Sequence, residues 1–117
     1  MRIRRDPEKF VRALSVKQPY ANQIRKGLKP AEYRKQPTNY RGELLIVSSK
    51  RPDLGAKNLP AGVAVCLVDV VDCRKQMGHD RRYAWILENP REVEPVKIKG
   101  NSATYYVPRS KVKIKGA

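Results

Sequence analysis

Residues 16–50, VKQPYANQIRKGLKPAEYRKQPTNYRGELLIVSSK, carry the clearest succession of secondary-structure signals in the chain. Pro19 suits the first turn of a helix, because proline there lacks only an amide that would have no helical partner. Gly27 is a natural helix stop, since glycine accepts the left-handed backbone conformation. The pattern therefore predicts a short helix that opens at Gln18-Pro19, ends at Gly27 and leads into a strand at Pro30.

Two strands are expected after the helix, and the first of them is rich in charge. Lys29 precedes a proline, which favours an extended backbone, and Glu32 and Arg34 then share one face of the strand by alternation. Arg41-Gly42 turns the chain into a second strand over residues 43–48. We predict the functional site where the helix leads into the strand that bears lysine, glutamate and arginine.

The rest of the chain is dominated by short β-branched and alternating segments. Strands are predicted at residues 10–16, 63–71, 92–95, 97–99, 103–107 and 111–115. The longest apolar run, 63–71, is expected at the centre of the sheet, and the last segment should turn Val112 and Ile114 toward a core. Residues 83–87, YAWIL, predict instead a helical turn that packs on the core. Together these signals predict an α+β fold, mostly β: a small, mainly antiparallel β-barrel with one main helix beside a cleft.

The charge of the chain favours a polyanionic partner. The 117 residues suit one domain, and 26 Lys+Arg against 11 Asp+Glu give a formal net charge of +15. The basic arm at residues 1–9 lacks the apolar core of a secretion signal, and no uncharged run approaches the roughly 20 residues of a membrane span. We therefore expect a cytoplasmic protein that binds nucleic acid and no membrane.

Several kinds of site are excluded by residue counts. One histidine and no CxxC pair leave no zinc site, and neither the phosphate-binding nor the dinucleotide-binding glycine motif occurs. His79 is expected on the surface, and Cys66 and Cys73 are expected as small buried side chains rather than as a disulfide. We predict neither a metal nor a cofactor, so any enzyme of this sequence works with Lys, Glu, Tyr, Ser or Thr.

The charged side chains after the helix have a functional and a structural interpretation. Lys29 is the best candidate for anion capture or catalysis, although a lysine just after a helix also interacts favourably with the helix dipole. Glu32 would orient the Arg34 guanidinium toward a phosphate or a base edge, and a structural ion pair is the alternative. Arg41 and Lys50 are suited to a basic rim for phosphates. Tyrosines interleave with the basic residues, which suits base stacking, although alternation puts about half of them in the core: Tyr20, Tyr33, Tyr40, Tyr105 and Tyr106.

Motifs spread over most of the chain carry a family resemblance. They are Leu14-Ser15-Val16-x-Gln18-Pro19-Tyr20-Ala21, Gly27-x-Lys29-x-x-Glu32-x-Arg34, Arg41-Gly42 with the apolar strand that ends at Ser49-Lys50, and the Gly62 strand with Asp69 and then Tyr83-Ala84-Trp85-x-Leu87. Together they resemble the ASCH (activating signal cointegrator homology) domain of the PUA-like superfamily. The likeness covers residues 12–107, between the basic arm 1–9 and a basic C-terminal strand at 108–117. It implies a PUA-like β-barrel whose cleft is lined by motif residues: Lys29, Glu32 and Arg34, with Gln18 and Lys50 nearby.

The same resemblance implies nucleic-acid binding, with RNA preferred to DNA. The residues expected to contact nucleic acid are Gln18, Tyr20, Lys29, Glu32, Arg34, Arg41 and Lys50. Tyr20 stands where the family often has tryptophan and keeps the capacity to stack. Some small members resembling this chain are ribonucleases or amidohydrolases of acetylated cytidine, the latter using a lysine similar to Lys29 and a threonine where this chain has Glu32. A metal-independent hydrolase using Lys29 and Glu32 is therefore the alternative function, and a basic protein–protein adaptor is a third.

Overall fold

The alternating apolar segments fold into strands with short connections. The computed structural model describes residues 6–51, 58–78 and 82–116, so part of the basic N-terminal arm and His79 lie outside the described residues. The elements in chain order are β1 (Phe10–Val16), α1 (Tyr20–Arg25), β2 (Ala31–Arg34), β3 (Gly42–Ser48), β4 (Ala64–Lys75), β5 (Tyr83–Glu92), β6 (Tyr105–Pro108) and a 3-10 helix (Arg109–Lys111). Within these described ranges, no helix is long and apolar enough to cross a membrane.

The strands form one six-stranded sheet in the order β2-β5-β4-β3-β1-β6. β1 and β3 are parallel, whereas the other neighbouring pairs are antiparallel. A parallel pair needs a long crossover, which α1, β2 and their connections supply. The mostly β and mainly antiparallel fold is thus confirmed. In the described part of the chain β2 and β6 are open edges, so closure into a barrel stays a prediction.

Both faces of the sheet are buried under apolar side chains. Alternation along β3 sends Leu44 and Ile46 to one face and Leu45 and Val47 to the other. The first cluster, which α1 covers, includes Leu14, Val16, Ala21, Ile24, Val68, Val70, Trp85 and Leu87. The second cluster includes Val11, Ala13, Leu67, Val93, Ile98 and Val107. Each fully buried Leu, Ile or Val contributes about 1.5–3 kcal/mol relative to exposure, so the sheet is a stable base for the site.

The helix and the strands beside it follow the sequence prediction. α1 begins directly after Pro19, and Gly27 has a left-handed φ of +75° just past the helix end. β2 then starts one residue after Pro30, and β3 follows the turn at Arg41-Gly42 within one residue of its predicted start. The local signals in residues 16–50 therefore decide this part of the fold.

The prediction of a helical turn at residues 83–87 is wrong. This segment opens β5, which pairs with β2 on one side and with β4 on the other. Trp85 lies opposite Glu32 and Cys73, and an aromatic side chain packs well between strands on both sides. Asn89 adopts a left-handed φ of +56° within β5, so the strand is locally irregular there but continues to Glu92.

The basic C-terminal strand predicted at 108–117 is also wrong. Arg109–Lys111 form a 3-10 helix, and Ile114 makes an isolated bridge with Val93. The Val112 N–H donates to the Arg109 carbonyl at 2.9 Å, so this backbone donor is used within a tight turn rather than in a ladder. Val112 packs on the second cluster as predicted, but Ile114 is 37% exposed.

Two further segments that are predicted as strands are much shorter in the structure. The strands predicted at 92–95 and 97–99 reduce to the end of β5 and to isolated bridges.

Cys66 and Cys73 are both free thiols, as predicted. Cys66 is fully buried, and burial raises the pKa of its thiol to about 12, whereas Cys73 is half-buried. The buried interpretation is therefore confirmed for Cys66 alone.

Candidate nucleic-acid cleft

A cleft opens where the parallel strands β1 and β3 end beside α1 and β2. Parallel strands bring their carboxyl ends to the same edge, which places Ser15 and Lys17 beside Ser49. The Ser49 N–H donates to the Val16 carbonyl at 2.9 Å and fixes this junction. The cleft has a volume of about 670 Å³. Its other walls come from the start of α1, from β2 and from two later loops: Tyr20, Lys29, Glu32, Tyr33, Arg34, Arg82, Asn101 and Ser102.

Gln18 supports α1 from behind the cleft. Its side chain is fully buried, and its Oε1 accepts the Asn22 N–H at 3.0 Å at the start of the helix. Its Nε2 donates to the Pro60 carbonyl at 3.0 Å and to Asn22 Oδ1 at 3.3 Å. Because both ends of the carboxamide are used inside the protein, Gln18 holds the helix in position and does not line the cleft.

Lys29 lies between two tyrosine rings at the mouth of the cleft. Its Nζ is 5.4 Å from the centroid of the Tyr20 ring and 4.8 Å from that of Tyr33. Both rings are exposed, at 40% and 44%. Contacts between an ammonium and an aromatic face contribute about 0.5–1 kcal/mol each at exposed sites, so the rings orient the lysine and still keep open surface.

Glu32 is the buried acid of the cleft. Its side chain is only 11% exposed, Oε1 accepts the Tyr33 N–H at 3.1 Å, and Oε2 lies 3.8 Å from Arg34 Nη1. Burial raises the pKa of Glu32 above its ordinary value of 4.5, although the Lys29 ammonium, the Arg34 guanidinium and the Tyr33 N–H all favour the ionised form. A carboxyl group held this way is suited to accept or exchange a proton with a ligand.

Arg34 connects β2 with the loop that precedes β6. Its Nη2 donates to the Ser102 carbonyl at 3.1 Å, while Nη1 faces Glu32. Alternation along β2 thus brings Glu32 and Arg34 together, as the sequence predicts. Each member of the pair also has a backbone partner, the Tyr33 N–H for Glu32 and the Ser102 carbonyl for Arg34. The guanidinium is half-buried and is part of the cleft lining.

The charge of the cleft is strongly biased. Its lining includes four cations, Lys17, Lys29, Arg34 and Arg82, and one acid, Glu32. Lys17 and Arg82 were not among the predicted site residues, and neither were Ser15, Ser49, Asn101 and Ser102. Ser15, Lys17 and Ser49 join the cleft because the parallel pairing of β1 with β3 puts both strand ends at one edge, and the sequence does not show that pairing. Arg82 and the loop 101–102 join through tertiary contacts that no local pattern reveals.

A second basic cavity continues the cleft along the sheet edge. It has a volume of about 560 Å³ and shares Ser15, Ser49, Asn101 and Ser102 with the cleft. Its charged lining is wholly cationic: Lys50, Arg51 and Lys99. Gly100 lies so close to β1 that a Cβ there would be 2.6 Å from Ser15 Oγ, which itself hydrogen-bonds the Tyr105 hydroxyl at 2.8 Å. Lys50 therefore lines this basic extension rather than the cleft itself.

Arg41 lies away from the cleft. Its guanidinium donates to the carbonyls of Thr38 and Tyr40 at 3.1 and 2.8 Å and lies 3.8 Å from Asp72. Tyr40 is half-buried beneath Arg12, whose guanidinium also lies over the Tyr106 ring. Of the predicted stacking tyrosines, the cleft thus has Tyr20 and Tyr33, and the others serve packing or a separate cation–π cluster.

In the part of the chain that the structure describes, no cluster of His, Cys, Asp and Glu could hold a metal ion. What the cleft does offer is cations for phosphate, two exposed rings for stacking and one buried carboxyl for hydrogen bonding. A family model described as the ASCH domain matches residues 14–97, most of the chain.

This chain belongs to the ASCH domain family. The crystal structure of ASCH from Zymomonas mobilis superposes on this ASCH domain with a TM-score of 0.64 at 10% identity, covering 86% of this chain and 89% of that chain. A tyrosine-to-phenylalanine mutant of the Zymomonas mobilis protein gives a TM-score of 0.65, again at 10% identity, covering 86% and 91%. At this identity the likeness shows the shared fold alone. Comparison with curated protein sequences gives no match.

Proposed function

We propose that this ASCH domain binds single-stranded nucleic acid, and RNA in preference to DNA, through the cleft around Lys29, Glu32 and Arg34. The observation that carries the proposal is the setting of Lys29, an ammonium between two exposed tyrosine rings in a cleft whose charges are mostly positive. A cationic groove interleaved with open aromatic faces is the common chemistry of single-strand binding. Membership of the ASCH family and the net charge of +15 support the same conclusion independently.

The cations of the cleft and of its basic extension supply most of the affinity. Lys29, Arg34 and Arg82 contact phosphates in the cleft, and Lys50 and Lys99 continue the track along the sheet edge. Tyr20 or Tyr33 stacks on an unpaired base. Duplexes bind less well, because paired bases do not expose their faces to the rings.

Glu32 supplies the preference for RNA. A carboxylate accepts hydrogen bonds from the 2′-hydroxyl of ribose or from the amino group of a base, and deoxyribose has no such hydroxyl. Burial makes an unsatisfied carboxylate costly, so a ligand donor that reaches Glu32 gains more there than at the surface. Glu32→Gln, which keeps an acceptor and removes the charge, reduces the preference rather than the phosphate contacts.

Fluorescence anisotropy with labelled single-stranded RNA, single-stranded DNA and duplex RNA tests the proposal. We expect Lys29→Ala and Arg34→Ala to weaken binding of single-stranded RNA about tenfold each, since a charge-assisted contact is lost in both. The control is Lys113→Ala, a lysine that is exposed and lies outside both cavities, which should change binding less than twofold. Equal losses in all three variants would mean diffuse electrostatics and no site.

The same probes, separated on a gel after incubation, test the alternative of a hydrolase. Intact RNA in every sample supports a binding module. RNA shortened by the unmodified protein but not by Lys29→Ala or Glu32→Gln would make this ASCH domain a ribonuclease that uses those residues.

A further inference from the structure

A separate cavity lies at the open seam of the sheet, and we call it the seam cavity. Its walls are residues 35–38, which follow β2, and residues 102–104, which precede β6. Leu14 of β1 and Trp85 of β5 form its floor, and its volume is about 470 Å³. The two edge strands that a closed barrel would join are therefore separated by a pocket that reaches the core.

The floor of the seam cavity is apolar and has no spare donor. Leu14 and Trp85 are both buried, and the indole N–H of Trp85 already donates to the Gln36 carbonyl at 3.0 Å. An anion on this floor would find no hydrogen bond. A flat group with an apolar face suits it, and the hydroxyl groups of Ser102 and Thr104 in the wall suit a polar edge.

The seam cavity and the cleft are neighbours with a shared cationic border. Tyr33, Arg34, Arg82 and Ser102 line both cavities. Arg34, which donates to the Ser102 carbonyl, stands at the boundary between them. A phosphate held by Arg34 and Arg82 would therefore have one neighbouring nucleoside in the cleft and the other in the seam cavity.

We propose that the seam cavity is a second base subsite, which takes the nucleobase adjacent to the nucleotide held in the cleft. The inference rests on the proposed function, because it needs a nucleic-acid strand in the cleft. A nucleobase combines apolar faces with a polar edge, which matches the floor and the wall of this cavity. The recognised unit is then at least a dinucleotide.

The fluorescence of Trp85 reports on the seam cavity directly, because it is the only tryptophan of the chain. The probes are a uridine trinucleotide, its three derivatives with one abasic position each, and uridine 5′-monophosphate. We expect the trinucleotide to change the Trp85 emission and the monophosphate, held in the cleft, to leave it unchanged. One of the three abasic derivatives should bind about tenfold more weakly and lose the emission change.

Two matched variants test whether filling the seam cavity prevents a base from binding there. Ala103→Phe adds a ring to the wall, and Ala61→Phe adds the same ring to another exposed loop alanine that lines none of the three cavities. Thermal unfolding midpoints check that the two variants are equally stable. Ala103→Phe should weaken binding of the trinucleotide about tenfold, and the abasic derivative should then bind no more weakly than the trinucleotide. Ala61→Phe should do neither.

The outcomes separate this inference from the proposed function. If saturating trinucleotide leaves the emission of Trp85 unchanged and Ala103→Phe binds like Ala61→Phe, while Lys29→Ala still loses binding, the second subsite is wrong and the cleft stands. An emission change that persists in all three abasic derivatives also overturns the subsite, since no base then reaches the floor. Absence of binding by every probe at low salt overturns both.

Discussion

Glu32 makes the stability of the domain depend on pH. Burial raises its folded-state pKa above the ordinary value of 4.5, despite the opposing charges of Lys29 and Arg34. Between these two pKa values the folded chain keeps the proton that the unfolded chain has lost, so the free energy of unfolding falls as pH rises through this window. The contribution is fully present below pH 4.5 and is lost once the pH passes the raised pKa.

Glu32→Gln should remove this dependence. We expect urea unfolding between about pH 4 and about pH 7 to show a smaller decrease of stability in the variant than in the unmodified protein. The difference should be confined to the window above pH 4.5. If the free energy of unfolding changes with pH equally in the two proteins, the charges of Lys29 and Arg34 fully offset the effect of burial on the pKa of Glu32.

At the scale of single residues, the sequence predicts partners that are close in the chain. Glu32 and Arg34 are two positions apart on one strand, so alternation is enough to bring them together. Gln18 was assigned to the binding surface, yet it is buried because its partner is the carbonyl of Pro60, across a loop. A local pattern cannot show that a polar side chain will be satisfied by a distant backbone group.

At the scale of elements, α1 is too short to be stable alone. A helix of six residues is far below the roughly 12–15 that isolated helices need, so its position depends on tertiary contacts. Ile24 anchors it in the first cluster, and the Gln18 carboxamide links its start to Pro60. Since the chain from this helix leads directly to Lys29, the geometry of the cleft depends on these anchors.

Gln18→Met tests that dependence, because it keeps the volume and removes three hydrogen bonds. We expect a loss of about 2–3 kcal/mol of stability, since the Asn22 N–H and the Pro60 carbonyl lose a buried partner. Gln76→Met, at an exposed glutamine just after β4, is the control and should change stability by less than about 0.5 kcal/mol. Chemical unfolding measures both. Equal stabilities would show that packing alone holds α1.

The elements that the sequence missed are those decided by distant partners. The segment YAWIL becomes a strand because β4, which precedes it in the chain, and β2, which lies three elements earlier, flank it on its two sides. The segment KVKIK alternates as a strand should, yet Val93 offers Ile114 an isolated bridge and no ladder. Alternation reports which side chains are apolar, whereas pairing depends on which edges the rest of the fold leaves open.

At the scale of the whole molecule, the net positive charge does not by itself show where a ligand binds. A net charge of +15 attracts any polyanion, and this was readable from composition. The parallel pairing of β1 with β3, which creates the cleft edge, was not readable, because it depends on the crossover through α1 and β2. Specific and diffuse binding must therefore be separated by experiment.

The salt dependence of RNA binding separates binding in the cleft from diffuse electrostatic binding. Binding that uses the five cations assigned to the cleft and its extension should give a log–log salt slope of about −3.5 on single-stranded RNA, at about 0.7 per phosphate. Lys29→Ala should reduce the magnitude of the slope by about 0.7, because one phosphate contact is lost. Lys113→Ala contributes only to the general field and should leave the slope unchanged. A steeper slope, reduced equally by both substitutions, would assign the affinity to the surface charge as a whole and remove the cleft as the site.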